Sequence, residues 1–271
     1  VTSRIDNVFY DIGRLEMLAA QSSAVHRLDP RAKLLVTIFF VLTVVSYDKY
    51  VIADLLPFFL YPAVIIGLAD LPVKYLLRKL LIVSPFVLFI GIFNPLIDRE
   101  IMLYLGPLAI SGGWISFASL LLRFSLTVGA ALLLIATTGF PAVCMALGKL
   151  GVPRLLTVQL LMLYRYLFVL IEEGIRMIRA HALRSLSHRP PRYRVYLQLL
   201  GNLLLRTLDR AQRIHLAMLS RAFSGEIKTG RQGHFGRTEF LVLLLAATIF
   251  ITLRIIHLAE LLGHLLLEIN R

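Results

Sequence analysis

The sequence predicts an all-α integral membrane protein, with about five transmembrane helices and two long amphipathic helices lying on the cytoplasmic side. Three observations carry that prediction. First, 58% of the 271 residues are apolar, against roughly 45–50% in a soluble domain, and the mean hydropathy is +0.78. Second, the apolar residues gather into uncharged runs approaching the length of a bilayer span, about 20 residues. Third, the formal net charge of +13 is confined to one stretch: between Pro141 and Thr238, two Lys and fourteen Arg face Glu172, Glu173, Asp209 and Glu226. That block carries nearly the whole excess, and the rest is close to neutral. One cysteine, Cys144, excludes a disulfide scaffold or multi-cysteine metal cluster. The aliphatic content excludes a disordered or collagenous chain.

In chain order, residues 1–33 carry Asp6, Asp11, Glu16, Arg27, Asp29 and Arg31, too polar for the apolar segment of a cleavable signal peptide. Asp29-Pro30 reads as a helix start, with Asp29 as cap and Pro30 at the first helical position. The uncharged runs Leu34–Tyr47 and Leu55–Ala69, separated by Asp48-Lys49-Tyr50, reach span length when their flanks are added. A basic 70–79 loop with Lys74, Arg78 and Lys79 follows. The third run, Leu80–Ile97, contains Pro85, which should kink it. Gly106-Pro107 and Ser111-Gly112-Gly113 predict an outer loop over 98–113. The fourth span is expected from Trp114 to Phe140, with Trp114 at an interface. Arg123, inside it, is a functional candidate as an intramembrane arginine, though snorkelling to the outer surface or pairing within the bundle also explains it and is the favoured reading. The last run starts at Phe240 and reaches about His257.

Leu155–Ile171 is ambiguous, because its apolar character alone would suit another span. Four preceding spans return the chain at Pro141 to the side that carries the N-terminal segment and the 70–79 loop. The positive-inside bias then places the basic block in the cytoplasm, and a crossing at 155–171 would put most of its arginines outside. A helix from Arg154 to Ser187 would be about 51 Å long, beyond a core of about 30 Å, so it is expected oblique to the membrane face. A second helix is expected from Tyr193 to Phe223, after the Arg189-Pro190-Pro191-Arg192 break. On it Leu200, Leu204, Ala211 and Met218 share one face, and Arg206, Asp209 and Arg213 the other. Glu172 and Arg176 are spaced as an i,i+4 pair. The chain thus divides into 1–140 (N-terminal segment and spans one to four), 141–238 (the helical module) and 239–271 (the last span and tail).

Sequence motifs for chemistry are missing. There is no Walker A loop and no Gly-rich nucleotide turn. Among the scattered histidines His257 and His264, seven apart, could share a helical face, and no third metal ligand accompanies them. Glu172-Glu173 is the only adjacent acidic pair, so general acid–base chemistry has no seat. No nucleic-acid motif accompanies the basic block. No catalytic residue, cofactor site or metal site is expected.

The string His26-Arg27-Leu28-Asp29-Pro30-Arg31-Ala32-Lys33-Leu34 resembles the Leu-Asp-Pro-Arg-x-Lys-Leu opening of the transmembrane T components of energy-coupling factor (ECF) transporters. Val152-Pro153-Arg154 through Tyr164-Arg165-Tyr166 to Glu172-Glu173 is similar to the start of that family's first coupling helix. The segment from Ile5-Asp6 through Ala19-Ala20 to His26 is most like the cobalt/nickel, CbiQ-type branch. Two arginine triplets, Leu183-Arg184-Ser185 and Ser220-Arg221-Ala222, follow near the ends of the two long helices. The family's triplet usually reads Ala-Arg-Gly; here Ser185 and Ala222 stand for the glycines and Leu183 for the first alanine. Arg179-Ala180 offers a competing register for the first triplet.

The resemblance implies a non-catalytic coupling subunit of an ATP-driven importer for cobalt or nickel, in the inner membrane. Each triplet arginine would dock a helix end on one of two ABC-type ATPase subunits. The further partners implied are a membrane subunit that binds Co²⁺ or Ni²⁺, a small accessory membrane subunit and membrane lipid, with no nucleic acid. A polytopic enzyme acting on anionic lipid, or a lipid-binding scaffold, is the alternative that the basic face leaves open.

Overall fold

The computed structural model describes residues 13–97, 101–105, 108–184, 193–225 and 236–255. Helices dominate it: 13–19 (α1), Ala24–Arg27 (α2), Pro30–Val45 (α3), a 3₁₀ turn Ala53–Phe59 leading into Leu60–Ala69 (α4), Val73–Gly91 (α5) and Phe93–Ile97 (α6). After them come Gly112–Thr138 (α7), Phe140–Lys149 (α8), Arg154–Arg184 (α9), Tyr193–Ser220 (α10) and Arg237–Ile255 (α11). This is an all-α membrane protein. Among the described residues, four helical stretches are long and apolar enough to cross a bilayer: Val73–Leu96, α7, α9 and α11. Pro30–Val45, at 16 residues, and the Ala53–Ala69 stretch are shorter apolar segments.

Two sequence expectations are corrected. The 98–113 segment is no irregular loop throughout, because Ile101–Leu105 (β1) pairs antiparallel with Leu108–Ser111 (β2). The basic 70–79 stretch is no loop either. The α5 helix starts at Val73, so Lys74, Arg78 and Lys79 lie on its first turns. Pro85 sits within α5 and cannot bond the carbonyl of Leu81 four residues back; the Ser84 hydroxyl donates to that carbonyl instead, at 2.9 Å.

The chain forms two compact units. One holds the described residues of Leu15–Gly139 and Gly233–Arg271, and the other those of Val1–Arg14 and Phe140–Gln232. In the first unit α3 packs against both α7 and α11, and α4 and α5 pack against α7. The centre is aromatic: the Phe40 ring lies 4.4 Å from Tyr61 and 5.3 Å from Phe250 between ring centroids, with Phe58, Leu126 and Ala130 closing the cluster. A smaller cluster joins Leu18 and Val25 to Ala69, Tyr75 and Leu133. Gly91 lets α5 approach α7, since a Cβ there would meet the Phe117 ring at 2.7 Å. Elsewhere the helices turn large apolar side chains outward, Leu81, Phe86 and Phe89 among them, each more than 60% exposed. A membrane protein can do this because lipid tails are as apolar as the side chains.

In this unit the Asp29-Pro30 reading holds in detail. Asp29 caps α3, accepting from the Arg31 amide at 2.8 Å, with Pro30 at the first helical position. Lys33 then reaches across to the carbonyl of Thr137, 2.9 Å away, in the last turn of α7. A cation on a helix C-terminus is favourable because the carbonyls there are unpaired and the macrodipole is negative.

Arg123 has a structural role of a kind that sequence could not specify. From α7 it donates to the carbonyl of Asp48, and Arg254 from α11 donates to the carbonyl of Ser46 at 3.2 Å. The Arg254 guanidinium also lies over the Tyr47 ring, 4.2 Å from its centroid, and the Tyr47 hydroxyl donates to Leu253 carbonyl. Two helices thus pin the corner that follows α3.

Candidate functional site: the ends of the two long helices

The second unit is built from α8, α9 and α10. The α8 helix ends in a turn with Gly151 at φ +106°, where the Val152 amide bonds the Leu147 carbonyl and Pro153 precedes α9. That left-handed residue followed by proline is a strong helix stop. The Phe140 ring stacks on Tyr164 of α9 at 4.8 Å, and Thr157 fills the space over Gly148.

The α9 and α10 helices have 31 and 28 residues, and none of these is buried. Their meeting point is electrostatic. Glu173 on α9 accepts from Arg206 of α10 at 2.7 Å, with Arg210 at 3.9 Å and Arg176 of its own helix at 3.2 Å. The hydrogen bond from Arg206, aided by the charges of Arg176 and Arg210, holds the Glu173 carboxyl below its ordinary range. The i,i+4 pairing expected for Glu172 and Arg176 is replaced by this i,i+3 pair with Glu173. Leu203 lies within van der Waals reach of a Cβ built on Gly174.

The apolar spacing of α10 groups Leu200, Leu204 and Ala211 on one face without saying what that face meets, and a different stripe meets α9. Val195, Tyr196, Leu199, Leu203, Thr207, Arg210, Ile214 and Met218 are the partly covered residues, and from Leu199 on they form a stripe with helical spacing. Leu200 and Leu204 remain about 60% exposed, and Ala211 is exposed too. So α10 turns Arg206 and Arg210 toward Glu173 and leaves a stripe of Leu197, Leu200, Leu204 and Leu208 open.

The sequence-predicted site residues sit at the C-terminal ends of these helices. Leu183 and Arg184 are the last described residues of α9 and both are exposed, Leu183 at 88%. Ser185, the Pro190-Pro191 corner and the 257/264 histidine pair lie outside the described residues. Ser220 ends α10 with its hydroxyl on the Leu216 carbonyl at 3.0 Å. Arg221 follows, exposed, and Ala222 has φ +51°. The Phe223 amide bonds the Met218 carbonyl at 3.0 Å and the Ala222 amide bonds Leu219, also at 3.0 Å. These two bonds form a Schellman cap with Ala222 at the left-handed position usually held by glycine. Arg179 lies five residues inside α9, whereas Arg184 stands at its described end. Among the described residues no group of three His, Cys, Asp or Glu could hold a metal ion.

The profile of the family described as cobalt transport protein, CbiQ, matches residues 21–232. The Cobalt transport protein CbiQ of Salmonella typhimurium is 31% identical over 139 residues, covering 48% of this chain and 62% of that protein. The Energy-coupling factor transporter transmembrane protein EcfT of Thermosediminibacter oceani is 28% identical over 224 residues, 75% of this chain and 82% of that one. The first of these matches spans less than two thirds of its relative's length.

Proposed function

The chain belongs to the cobalt transport protein CbiQ family, and from that premise we propose that it is the transmembrane coupling subunit of an ATP-driven importer of the energy-coupling factor type. Members of this family are membrane transport components and not enzymes. The observation that carries the reading is the α9–α10 pair: two long helices with no buried residue, with an exposed arginine at the described end of α9 and another just past the end of α10. A chain does not retain some 59 residues of amphipathic helix with none fully buried for its own core, because helices in proteins owe most of their stability to packing of the apolar face. This module is built for surfaces on other subunits.

Arg184 and Arg221 are the residues assigned to the ATPases, with Leu183, Ser185, Ser220 and Ala222 around them. A guanidinium keeps its charge in a partly buried interface and offers a planar fork to a carboxylate or to backbone carbonyls. Each helix end would seat on one of two ABC-type ATPases. The Glu173–Arg206 bond ties the helices midway, so motion imposed at one end reaches both. The open leucine stripe on α10 would pass that motion to a separate membrane subunit that selects the cargo, Co²⁺ or Ni²⁺; a small accessory membrane subunit completes the set. Residues 1–140 and 239–271 would serve as the membrane anchor and 141–238 as the moving module.

Although α9 is apolar and long enough to cross a bilayer, we assign it to the membrane surface. At about 46 Å it exceeds a core of about 30 Å, and a crossing would carry the basic block to the outside against the positive-inside bias. The N-terminal segment and the module are therefore assigned to the cytoplasm, in the inner membrane. The test is ATPase recovery from detergent extracts with Arg184→Glu and Arg221→Glu. Each reversal is expected to weaken capture by about 2–5 kcal/mol if the contact is desolvated. Undiminished recovery with both changes would refute the assignment.

A further inference from the structure

The first unit contains a lateral slot of about 480 Å³ that the coupling role does not use. Its walls are two outward stripes at helical spacing: Leu60, Val64 and Leu68 on α4, and Val242, Leu245 and Ile249 on α11. Its floor is α3, with Tyr61 and Phe250 from the flanking helices. From Val242 to Leu253 it runs about 16 Å along α11, close to half of the roughly 30 Å hydrocarbon core, which is one leaflet's share.

The polar side chains of the lining are all engaged within the protein. Lys33 donates to the Thr137 carbonyl, Thr37 donates to the Lys33 carbonyl and shares a hydrogen bond with Tyr61, and Thr137 donates to the Leu133 carbonyl. Nothing along the walls asks for a polar ligand. The volume falls within the roughly 300–1,000 Å³ of small-molecule sites, where a protein partner would need a face of about 800 Å². One end is basic: Lys33 lines the slot, and residues 26–33 set Arg27, Arg31 and Lys33 against Asp29 alone. We infer that this slot holds one acyl chain of an anionic phospholipid, its headgroup at the Lys33 end and its tail between α4 and α11. This goes beyond the coupling function and does not depend on it.

The experiment places the full chain in phosphatidylcholine vesicles doped with phosphatidylglycerol that carries a photoreactive diazirine on one acyl chain. After illumination, labelled peptides are mapped by mass spectrometry. Label is expected to concentrate on 60–68 and 242–253, over the lipid-facing stripe of Leu81, Phe86 and Phe89 on α5. Val64→Trp or Leu245→Trp, each filling the mouth from an already exposed position, should cut slot labelling by about tenfold, as expelling roughly two methylenes would. A diazirine phosphatidylcholine should label the slot about fivefold less, the effect of one basic residue near the headgroup. Equal labelling of α5 and the slot, labelling unmoved by both tryptophans, or equal labelling by the two headgroups would overturn the inference. So would loss of slot labelling when a partner membrane subunit is present, since the slot would then seat a protein helix.

Discussion

Replacing Lys33 by Met isolates one interaction and explains why the segment that opens α3 has the form it does. The perturbation keeps the aliphatic stem and removes only the ammonium that donates to the Thr137 carbonyl at 2.9 Å. A hydrogen bond from a charged donor contributes about 1.5–3 kcal/mol. A cation at a partly buried helix C-terminus contributes up to about 2 kcal/mol. These describe the same contact and are not summed, so the expected loss is about 2 kcal/mol. For a protein of this size that corresponds to a fall in Tm of about 4–8 °C. Lys33→Arg, which can still donate, should recover most of it. Thermal unfolding in detergent, read by tryptophan fluorescence from Trp114, the single tryptophan, is the assay. A Lys33→Met protein within about 0.5 kcal/mol of the parent, the range of an ordinary surface change, would show that the α3–α7 bridge contributes nothing and refute the reasoning.

Three further outcomes are expected. Ala222→Gly should stabilise the end of α10 by about 0.5–1 kcal/mol, since it relieves a left-handed position that costs a non-glycine residue about 1–2 kcal/mol and gives back part as backbone entropy; amide exchange at 221–223 reads it. Phe40→Ala should cost about 3 kcal/mol through the cavity it leaves, whereas Ile38→Ala, on a face 43% exposed and meeting lipid, should cost less than about 0.5 kcal/mol. The Glu173 carboxyl is held below its ordinary range, so its contribution is complete above about pH 4.3, the free value, and is lost as pH falls through the lower folded value. Cross-linking between α9 and α10 should therefore hold at neutral pH and fall in strong acid, and Glu173→Gln should remove that acid dependence.

What could be read from the sequence was local. Asp29 and Pro30 specify their helix start by side-chain chemistry alone, and the two long helices, expected over 154–187 and 193–223 with the Pro190-Pro191 break between them, are described over Arg154–Arg184 and Tyr193–Ser220. The start of α5 was misplaced because Lys74, Arg78 and Lys79 resemble a loop by charge, whereas a helix at an interface carries its cations on its first turns. The β1–β2 hairpin lies within five- and four-residue apolar strands that no period separates from loop. The contact face of α10 is not legible for a different reason. Apolar spacing puts Leu200 and Leu204 on one face but cannot say what that face meets; the contact with α9 is set by Glu173 on another helix, which pairs with Arg206 and Arg210, and that choice exists only once both helices are present. The clamps made by Lys33, Arg123 and Arg254 on distant carbonyls are tertiary in the same sense. Ala222 was noted as a departure from glycine; its left-handed φ shows what the departure costs. The docking role proposed for Arg184 and Arg221 has no signal in spacing or charge, because the partners it requires lie on other subunits.

The coupling proposal is tested most directly by cross-linking from the two helix ends. Cys144 is the sole cysteine, so a Cys144→Ser chain carrying Arg184→Cys or Arg221→Cys gives one reactive point at a time in membranes that also contain the ATPases. The account predicts a cross-link to ATPase subunits from each position, changed in yield when ATP closes the pair, and none from a control cysteine at Leu81 on the lipid-facing side of α5. Positions 184 and 221 that react only with reagents added from outside the cell, and never with an ATPase, would contradict it.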